Sequence, residues 1–341
     1  MRDDVREFVV AHLCHRDAVL IPDETGFVKK GSHSIGVQRQ YSGTAGRIEN
    51  SQVAVSLSDA SARGRALIDR RPYLPRSWTD DPDGCAAAGI PPDVAFVTKP
   101  ELALAMITDA VAADVSARWA ASDELYGDNG PLRAGVQALG LGCVLAVSRD
   151  HLVPIDGGKA RLRADRLAAE LSDTAWHRYS AGVGSKGPRW YDWAWIDMSR
   201  PGQPGHTLLI RRNPSTGELA FYRCWTPTPV PLVTLVRVAG MRWAVEEGFQ
   251  TGKGQVGLDH YRVRTWIAWH RFVTLAMLAL AFLMACAADA APPAPPNPYH
   301  HARHDGPIAL TANEIRRRAR KARPAWGAFE ARRLVTRCSM L

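Results

Sequence analysis

Three acidic residues, Asp23, Asp123 and Glu246, occupy positions where a carboxylate could take part in chemistry. Asp23 ends an apolar, strand-like run that begins at Ala18, and Asp123 ends a second such run. The carboxyl end of a sheet strand is where open α/β sheets bind their ligands. A single aspartate there more often starts a turn, so the two positions gain weight only if further acids converge on them.

The third acid lies in a segment with helical spacing. Four polar residues are separated by four, four and three positions: Arg242, Glu246, Gln250 and Lys253. A helix places residues with this spacing on one face. Glu247 is rotated by about 100° from that face, which favours Glu246 as the functional acid. An exposed row of ion pairs would have the same spacing, so that alternative stays open at this point.

Three carboxylates that converge on one point repel each other unless a cation neutralises them. Hard oxygen ligands select Mg²⁺ or Mn²⁺. These residue types therefore indicate a divalent-metal site, provided that the fold brings them together.

Motifs around these acids occur in a definite order along the chain. They comprise residues 23–31 and 36–47, then residues 123–127, and then the helix with Arg242, Glu246 and Lys253. With these motifs, the chain up to about Leu283 resembles bacterial insertion-sequence transposases of the DDE superfamily. The IS-four and IS-seven-oh-one kind is the most similar group. The helix matches the family signature Tyr-x2-Arg-x3-Glu-x6-Lys except at the tyrosine position, which is Ala239.

The resemblance implies an α/β fold of the RNase H-like type. Such a fold has a mixed sheet flanked by helices, here with a β-rich insertion between the second catalytic Asp and the catalytic Glu. The implied catalytic and metal-binding acids are Asp23, Asp123 and Glu246. The implied cofactor is two Mg²⁺ ions per site, for which Mn²⁺ can substitute. The implied reaction is phosphodiester hydrolysis at the element ends, followed by strand transfer into target DNA.

The resemblance also implies partners and contacts. The partner is double-stranded DNA, both the terminal inverted repeats and the target, bound by a homodimer and without any membrane. The residues expected to contact DNA are Arg242, Lys253, Lys29, Lys30, Arg39 and Trp193. A lysine pair beside a turn is more often only solvated, and tryptophans clustered at residues 190–195 could equally form a small core.

The alternation of patterns along the chain predicts the elements that must position these residues. Residues 1–149 are expected to form the first part of the catalytic core, with an initial helix, three early strands in a meander, and then alternating helices and strands. Residues 150–231 are rich in Gly, Pro and short β-prone segments, which predicts the β-rich insertion. Residues 232–290 are expected to complete the core as helices, with an interruption near residues 252–257. Residues 291–341 are expected to form a Pro-rich linker and a basic tail.

Composition narrows the class of protein. The 341 residues are 46% hydrophobic and 23% charged, which excludes global disorder and disulfide miniproteins. The net charge is +9, but residues 299–341 carry ten Lys or Arg and three Asp or Glu, which leaves only +2 for the first 298 residues. The six cysteines form no CxxC pair and follow no secretory signal, which favours a reducing cytoplasm, with nucleoid association when DNA is bound. The apolar run at residues 272–288 predicts a buried core helix rather than a membrane span.

Two alternatives compete with an active transposase. The first is a truncated relic that binds DNA or an intact transposase without catalysis; the chain reaches its first catalytic strand after a single helix, and its C-terminal part is atypical for the family. The second is a basic regulator unrelated to nucleases, which leaves the order of the three acidic motifs unexplained.

Overall fold

The computed structural model describes residues 2–43, 45–184, 187–290 and 311–321. Most of the predicted linker and basic tail lies outside the described residues. The part of that tail that is described, Ala312–Lys321, forms a helix.

Helices occur in three groups along the described chain. The first two groups are α1 (Arg2–Leu13), α2 (Arg76–Thr79), α3 (Pro82–Ala87) and α4 (Lys99–Ala112), followed by α5 (Glu124–Gly127), α6 (Gly130–Ala138) and α7 (Ala164–Ala169). The third group is α8 (Leu232–Met241), α9 (Trp243–Val256), α10 (Trp266–Asp289) and α11 (Ala312–Lys321). The predicted interruption of the last group lies between α9 and α10, because Gly257 adopts φ +70° and ends α9.

Strands precede and follow the middle helices. The N-terminal strands are β1 (Val19–Val28), β2 (Gln38–Ser42), β3 (Arg47–Ser61), β4 (Gly64–Pro72), β5 (Trp119–Ser122) and β6 (Gly142–Val147). The later strands are β7 (Leu152–Ile155), β8 (Ala160–Arg163), β9 (His177–Gly184), β10 (Gly187–Asp197), β11 (His206–Arg212) and β12 (Leu219–Trp225).

One large mixed sheet organises the molecule. Its strand order is β2-β3-β1-β5-β6-β12-β11-β10-β9, and β4 also pairs with β3. Strand β1 is antiparallel to β3 and parallel to β5, which is in turn parallel to β6. The fold is therefore α/β with a mixed sheet flanked by helices, as the sequence predicts.

The early strands differ from the predicted three-stranded meander. Strand β3 lies between β1 and β2, so β2 is not the direct neighbour of β1. Strand β4 was not predicted, because its sequence contains Asp69, Arg70 and Arg71. Arg70 is nevertheless buried beside Asp69 and donates a hydrogen bond to Thr274 of α10. Pairing among these polar groups satisfies part of the need for hydrogen bonds that burial creates.

Strands also fill residues 150–231. Strand β12 pairs antiparallel with β6, so β9 to β12 extend the central sheet. Only β7 and β8 form a separate two-stranded sheet. Whether this region is an insertion into the core, with boundaries at residues 150 and 231, stays a prediction.

Hydrophobic cores cover both faces of the sheet. Neighbouring residues of β1 alternate between them, since Val19 and Ile21 pack in one cluster and Leu20 in the other. Val245 and Phe249 of α9 pack in the first cluster. The second cluster is built largely by α4 and α6 against the opposite face. Helix α9 and helix α6 therefore lie on different sides of the sheet.

Helix α10 is long and apolar enough to cross a membrane by length and composition, with a mean hydropathy of 2.1. It packs against β4 and α1, and Trp269, Met277 and Leu280 are buried inside the protein. Apolar core helices of soluble proteins have the same composition, and these contacts agree with the predicted core helix.

Candidate active site

Asp23 and Asp123 stand side by side on neighbouring parallel strands. Leu20 of β1 is in register with Ala120 of β5. Each aspartate is three residues beyond its member of this pair, so the two carboxylates lie at the same level of the sheet. Both line one cleft with a volume of about 710 Å³.

Asp123 is held in place by its own backbone. It is the N-cap of α5, where its Oδ1 accepts hydrogen bonds from the amide of Leu125 at 3.0 Å and of Tyr126 at 3.5 Å. A helix N-cap fixes a carboxylate and satisfies amides that lack a helical partner. The sequence places this aspartate at the end of a strand, and the short helix behind it orients the side chain.

The negative charge of the two carboxylates is only partly compensated. Burial, then the charges of Asp123 and Glu24, raise the pKa of Asp23 to about 8. Burial and the charge of Glu24 also raise the pKa of Asp123, while Arg242 opposes this shift. Such a pair binds either protons or a cation. Oxygen donors of this kind, close together and short of positive charge, fit Mg²⁺ or Mn²⁺.

Glu246 lines the same cleft from the first turn of α9. Its carboxylate pairs with Arg242 at 3.0 Å, and its side chain is 41% exposed. Glu247 pairs with Arg65 at 2.7 Å, and it does not line this cleft. The helical spacing therefore separates the two glutamates as expected, and the ion-paired face that the sequence left open also exists between Arg242 and Glu246.

The three acids share a cleft without forming a ready-made metal site. Among the residues that the structure describes, no group of three or more His, Cys, Asp or Glu side chains is close enough to hold one metal ion. The charge of Asp123 contributes to the raised pKa of Asp23, whereas the carboxylate of Glu246 pairs with Arg242.

Two predicted DNA-contacting cations lie at this cleft. Lys253 lines it, and its Nζ donates to the carbonyl oxygen of Gly26 at 3.4 Å. Burial lowers the pKa of Lys253. Arg242 is close enough to oppose the raised pKa of both Asp23 and Asp123.

The other predicted DNA contacts lie elsewhere. Lys29 sits 3.4 Å above the ring of Tyr261 and donates to its carbonyl oxygen at 3.1 Å, and burial lowers the pKa of Lys29 to about 8. It is therefore part of the packing around Tyr261. Lys30 is exposed, as is Arg39 on β2, and neither lines the cleft. The neighbours of Arg39, Gln38 and Gln40, do line it, because side chains alternate along a strand.

Trp193 does not fit the predicted stacking on DNA. Its side chain is only 1% exposed, and its Nε1 donates to the carbonyl oxygen of Tyr179. The next tryptophans along β10, Trp190 and Trp195, are 45% and 47% exposed. Period-two alternation separates Trp190 from Trp193, which are three residues apart, and a β-strand reading could have predicted that difference. Trp195 is on the same face as Trp193, but Trp193 packs against Tyr222 in the core, whereas Trp195 lies beyond the residues of β10 that pair with β9.

Three further residues support the aspartate pair and were missed by sequence reasoning. The hydroxyl of Tyr126 donates to Glu24 Oε2 at 2.6 Å, and Lys99 Nζ donates to Glu24 Oε1 at 2.8 Å. Glu24 directly follows Asp23 on β1, so these bonds fix the strand beside the acid. Tyr126 belongs to the Asp123 motif and could have been noticed there. Lys99 carries no sequence signal, because it starts α4 far from either motif.

Residues 1–166 match the family described as DDE superfamily endonuclease. The superfamily match includes Asp23 and Asp123, whereas Glu246 lies beyond it. The chain is also 30% identical over 150 residues to a probable transposase for insertion sequence element IS701 from Microchaete diplosiphon. That similarity covers 44% of this chain and 37% of the relative, so the chain matches little more than a third of the relative's length.

Proposed function

We propose that the protein is a DDE transposase, a metal-dependent DNA endonuclease and strand transferase of an insertion sequence. The observation that carries this proposal is the half-buried pair of Asp23 and Asp123 on adjacent parallel strands, inside the region that matches DDE endonucleases. The similarity to a probable insertion-sequence transposase supports the same function.

The strand arrangement supports an RNase H-like core. Strands β4, β3 and β1 are successively antiparallel, and β5 and β6 continue the sheet parallel to β1. A core of this type places one acid on its first strand and another after its fourth. Asp23 lies on β1, and Asp123 follows β5, which is the fourth strand of the core when the edge strand β2 is not counted. Region 150–231 then acts as the β-rich insertion, and α9 brings Glu246 to the cleft.

Asp23, Asp123 and Glu246 would hold the metal ions. Two bound Mg²⁺ or Mn²⁺ ions would activate the attacking oxygen and stabilise the leaving oxygen of the phosphodiester. The raised pKa values of Asp23 and Asp123 support this proposal, because a bound cation would offset the cost of two ionised carboxylates. Glu246 would join them after exchanging its ion pair with Arg242.

The exchange gives Arg242 a second role. Once Glu246 turns towards the aspartates, the guanidinium is released to bind the scissile phosphate. Guanidinium groups bind phosphate oxygens in a bidentate manner. Lys253 lies further along the same helix and would hold a neighbouring phosphate, while Gln38 and Gln40 offer amide donors from the opposite element of the cleft.

The proposed substrates are the terminal inverted repeats and the target DNA, bound by a homodimer. The proposed location is the bacterial cytoplasm, with nucleoid association on DNA. A second candidate is a non-transposing relic that binds DNA without cutting it. The ion pair that holds Glu246 away from a three-carboxylate group favours this candidate.

A nicking assay separates the two candidates. The substrate is DNA that carries the repeats flanking the gene, incubated with Mn²⁺ and either the wild type or Asp123→Asn. Asparagine caps a helix as well as aspartate does, so the variant should keep α5. The control is Asp80→Asn, the same change at an exposed residue outside the cleft.

An active transposase predicts metal-dependent nicks that disappear in Asp123→Asn and persist in Asp80→Asn. A wild type that binds the DNA and never nicks it would establish the relic. Nicks that persist in Asp123→Asn would show that this acid has no part in the reaction.

A further inference from the structure

A second cleft of about 430 Å³ lies between α6 and the far strands of the sheet. Three arginines reach it from separate elements: Arg133 from α6, Arg200 from the loop between β10 and β11, and Arg223 from β12. We call these three residues and the space between them the arginine pocket. Further polar residues that line it are Gln137, Gln203 and His206.

Positive charge in the arginine pocket is only partly neutralised within the described part of the chain. No Asp or Glu lines the cleft, and no described carboxylate forms an ion pair with any of the three guanidinium groups; Asp128, which pairs with His151, acts on the charge of Arg133 without direct contact. Other arginines of the same region do have partners; Arg163 pairs with Asp165 at 2.7 Å, for example. What distinguishes the three arginines is that they meet in one cleft from three separate elements.

The guanidinium groups are also incompletely hydrogen-bonded. The Nε atoms of Arg200 and Arg223 are buried and have no partner among the described residues. Arg133 uses one Nη1 donor on the carbonyl oxygen of Gly127, and the contact of Arg223 is with His151 at 3.4 Å. Burial and the charge of Arg133 lower the pKa of Arg223 to about 10, so bringing these cations together costs free energy. An anion between them would offset that cost.

Phosphate is the anion that this arrangement fits. Several guanidinium forks can bind the non-bridging oxygens of one or two phosphates at the same time. The side-chain amides of Gln137 and Gln203 add uncharged hydrogen-bond donors. The cleft is open to solvent, so that a continuous nucleic-acid backbone could pass through it. We infer that the arginine pocket binds the phosphodiester backbone of duplex DNA outside the catalytic cleft; this rests on the proposed function.

The position of the pocket defines which part of the DNA it would hold. Arg223 is in register with Leu145, which packs in the core on the α4 and α6 side of the sheet. The pocket therefore faces away from α9 and Glu246. It is connected to the catalytic side through α5, because Asp123 caps the start of this helix and Arg133 binds the carbonyl of Gly127 at its end. The pocket would therefore hold a part of the duplex that lies away from the cleavage point.

The test is duplex binding in the presence of EDTA, measured by fluorescence anisotropy at several salt concentrations. Arg200→Gln removes one charge from a half-buried loop residue. Each lost phosphate contact lowers the slope of log K against log salt by about 0.9, which corresponds to roughly five- to tenfold weaker binding near 0.1 M salt. Arg200→Lys keeps the charge and should keep the slope. Arg63→Gln, at the exposed turn between β3 and β4, is the matched control and should bind as the wild type does.

A second variant protects the test against misfolding. Gln203→Glu adds a negative charge at an exposed rim residue and leaves all three arginines in place. It should weaken DNA binding to a similar extent, while the thermal unfolding midpoint stays that of the wild type. Equal loss in Arg200→Gln and Gln203→Glu would support the inference.

Other outcomes overturn it in distinguishable ways. Variants that bind DNA as the wild type does, with the same salt slope, would refute the pocket and leave the proposed function standing. A wild type that binds no DNA would refute both. Inorganic tripolyphosphate is the probe for a free anion. The pocket serves a small polyphosphate instead if tripolyphosphate stabilises the wild type but not Arg200→Gln, and if Arg200→Gln binds DNA as the wild type does.

Discussion

Replacement of Tyr126 by phenylalanine tests the support beneath the aspartate pair. The tyrosine is fully buried, and its hydroxyl donates to Glu24 at 2.6 Å. Tyr126→Phe keeps the ring in its packing and removes only this donor. Any change in stability therefore reports on the hydrogen bond.

The expected magnitude follows from the surroundings of Glu24. A hydrogen bond to a charged group contributes about 1.5–3 kcal/mol. Glu24 keeps its contact with Lys99 at 2.8 Å, and its side chain is 25% exposed, so water can replace part of the lost interaction. We therefore expect the free energy of unfolding to fall by about 1.5–2 kcal/mol.

Urea denaturation at pH 7 measures this difference. The control is Tyr41→Phe, which removes the same hydroxyl from a side chain that is 65% exposed, and it should change stability by less than about 0.5 kcal/mol. In the nicking assay, Tyr126→Phe should be slower than the wild type, because Glu24 adjoins Asp23; Tyr41→Phe serves as the control for stability only, since Tyr41 lines the cleft. Equal stability of Tyr126→Phe and the wild type would refute the claim that this bond holds Glu24.

Three further predictions concern acids and aromatics. Burial raises the pKa of Asp59 to about 7, so the ionised carboxylate costs stability; this cost grows as the pH rises from about 4 to about 7 and is constant above that. In urea unfolding, the stability of Asp59→Asn relative to the wild type should increase by about 3 kcal/mol between pH 4.5 and 8, and a difference that does not change with pH would refute the shift. Mn²⁺ should raise the thermal midpoint of the wild type and leave Asp123→Asn unchanged; equal stabilisation would place the ion elsewhere. Trp195→Ala should weaken single-stranded DNA binding without loss of stability, whereas Trp193→Ala should destabilise the fold by about 3–5 kcal/mol; the reverse pattern would contradict their burial.

Sequence patterns predicted the elements with clear periodicity. Helix α1, helix α4 and strand β6 lie where apolar spacing indicated them. The alternation of strands and helices also predicted a mixed α/β sheet. Strand β4 escaped prediction because its charged residues are buried in pairs, which only tertiary contacts reveal.

The site was predictable as a set of acids and less so as a geometry. Strand-end position indicates Asp23 and Asp123, and helical spacing distinguishes Glu246 from Glu247. Arg242 and Glu246 share one helix face and form an ion pair. Helical spacing therefore predicts which side chains can meet, and it does not predict whether Glu246 pairs with Arg242 or joins the two aspartates. Lys99 is distant from Glu24 in the sequence and contacts it only in the folded chain, so no local sequence pattern could reveal this contact.

Metal positions provide the most direct measurement of the central claim. Crystals of the wild type grown or soaked with Mn²⁺ can be examined by anomalous diffraction, which locates the ion independently of the protein phases. The account predicts anomalous peaks between Asp23 and Asp123, at coordination distances of about 2.1 Å, with Glu246 turned from Arg242 towards them. Peaks elsewhere, or fully occupied Mn²⁺ with Glu246 still paired to Arg242, would contradict the assignment of these three acids.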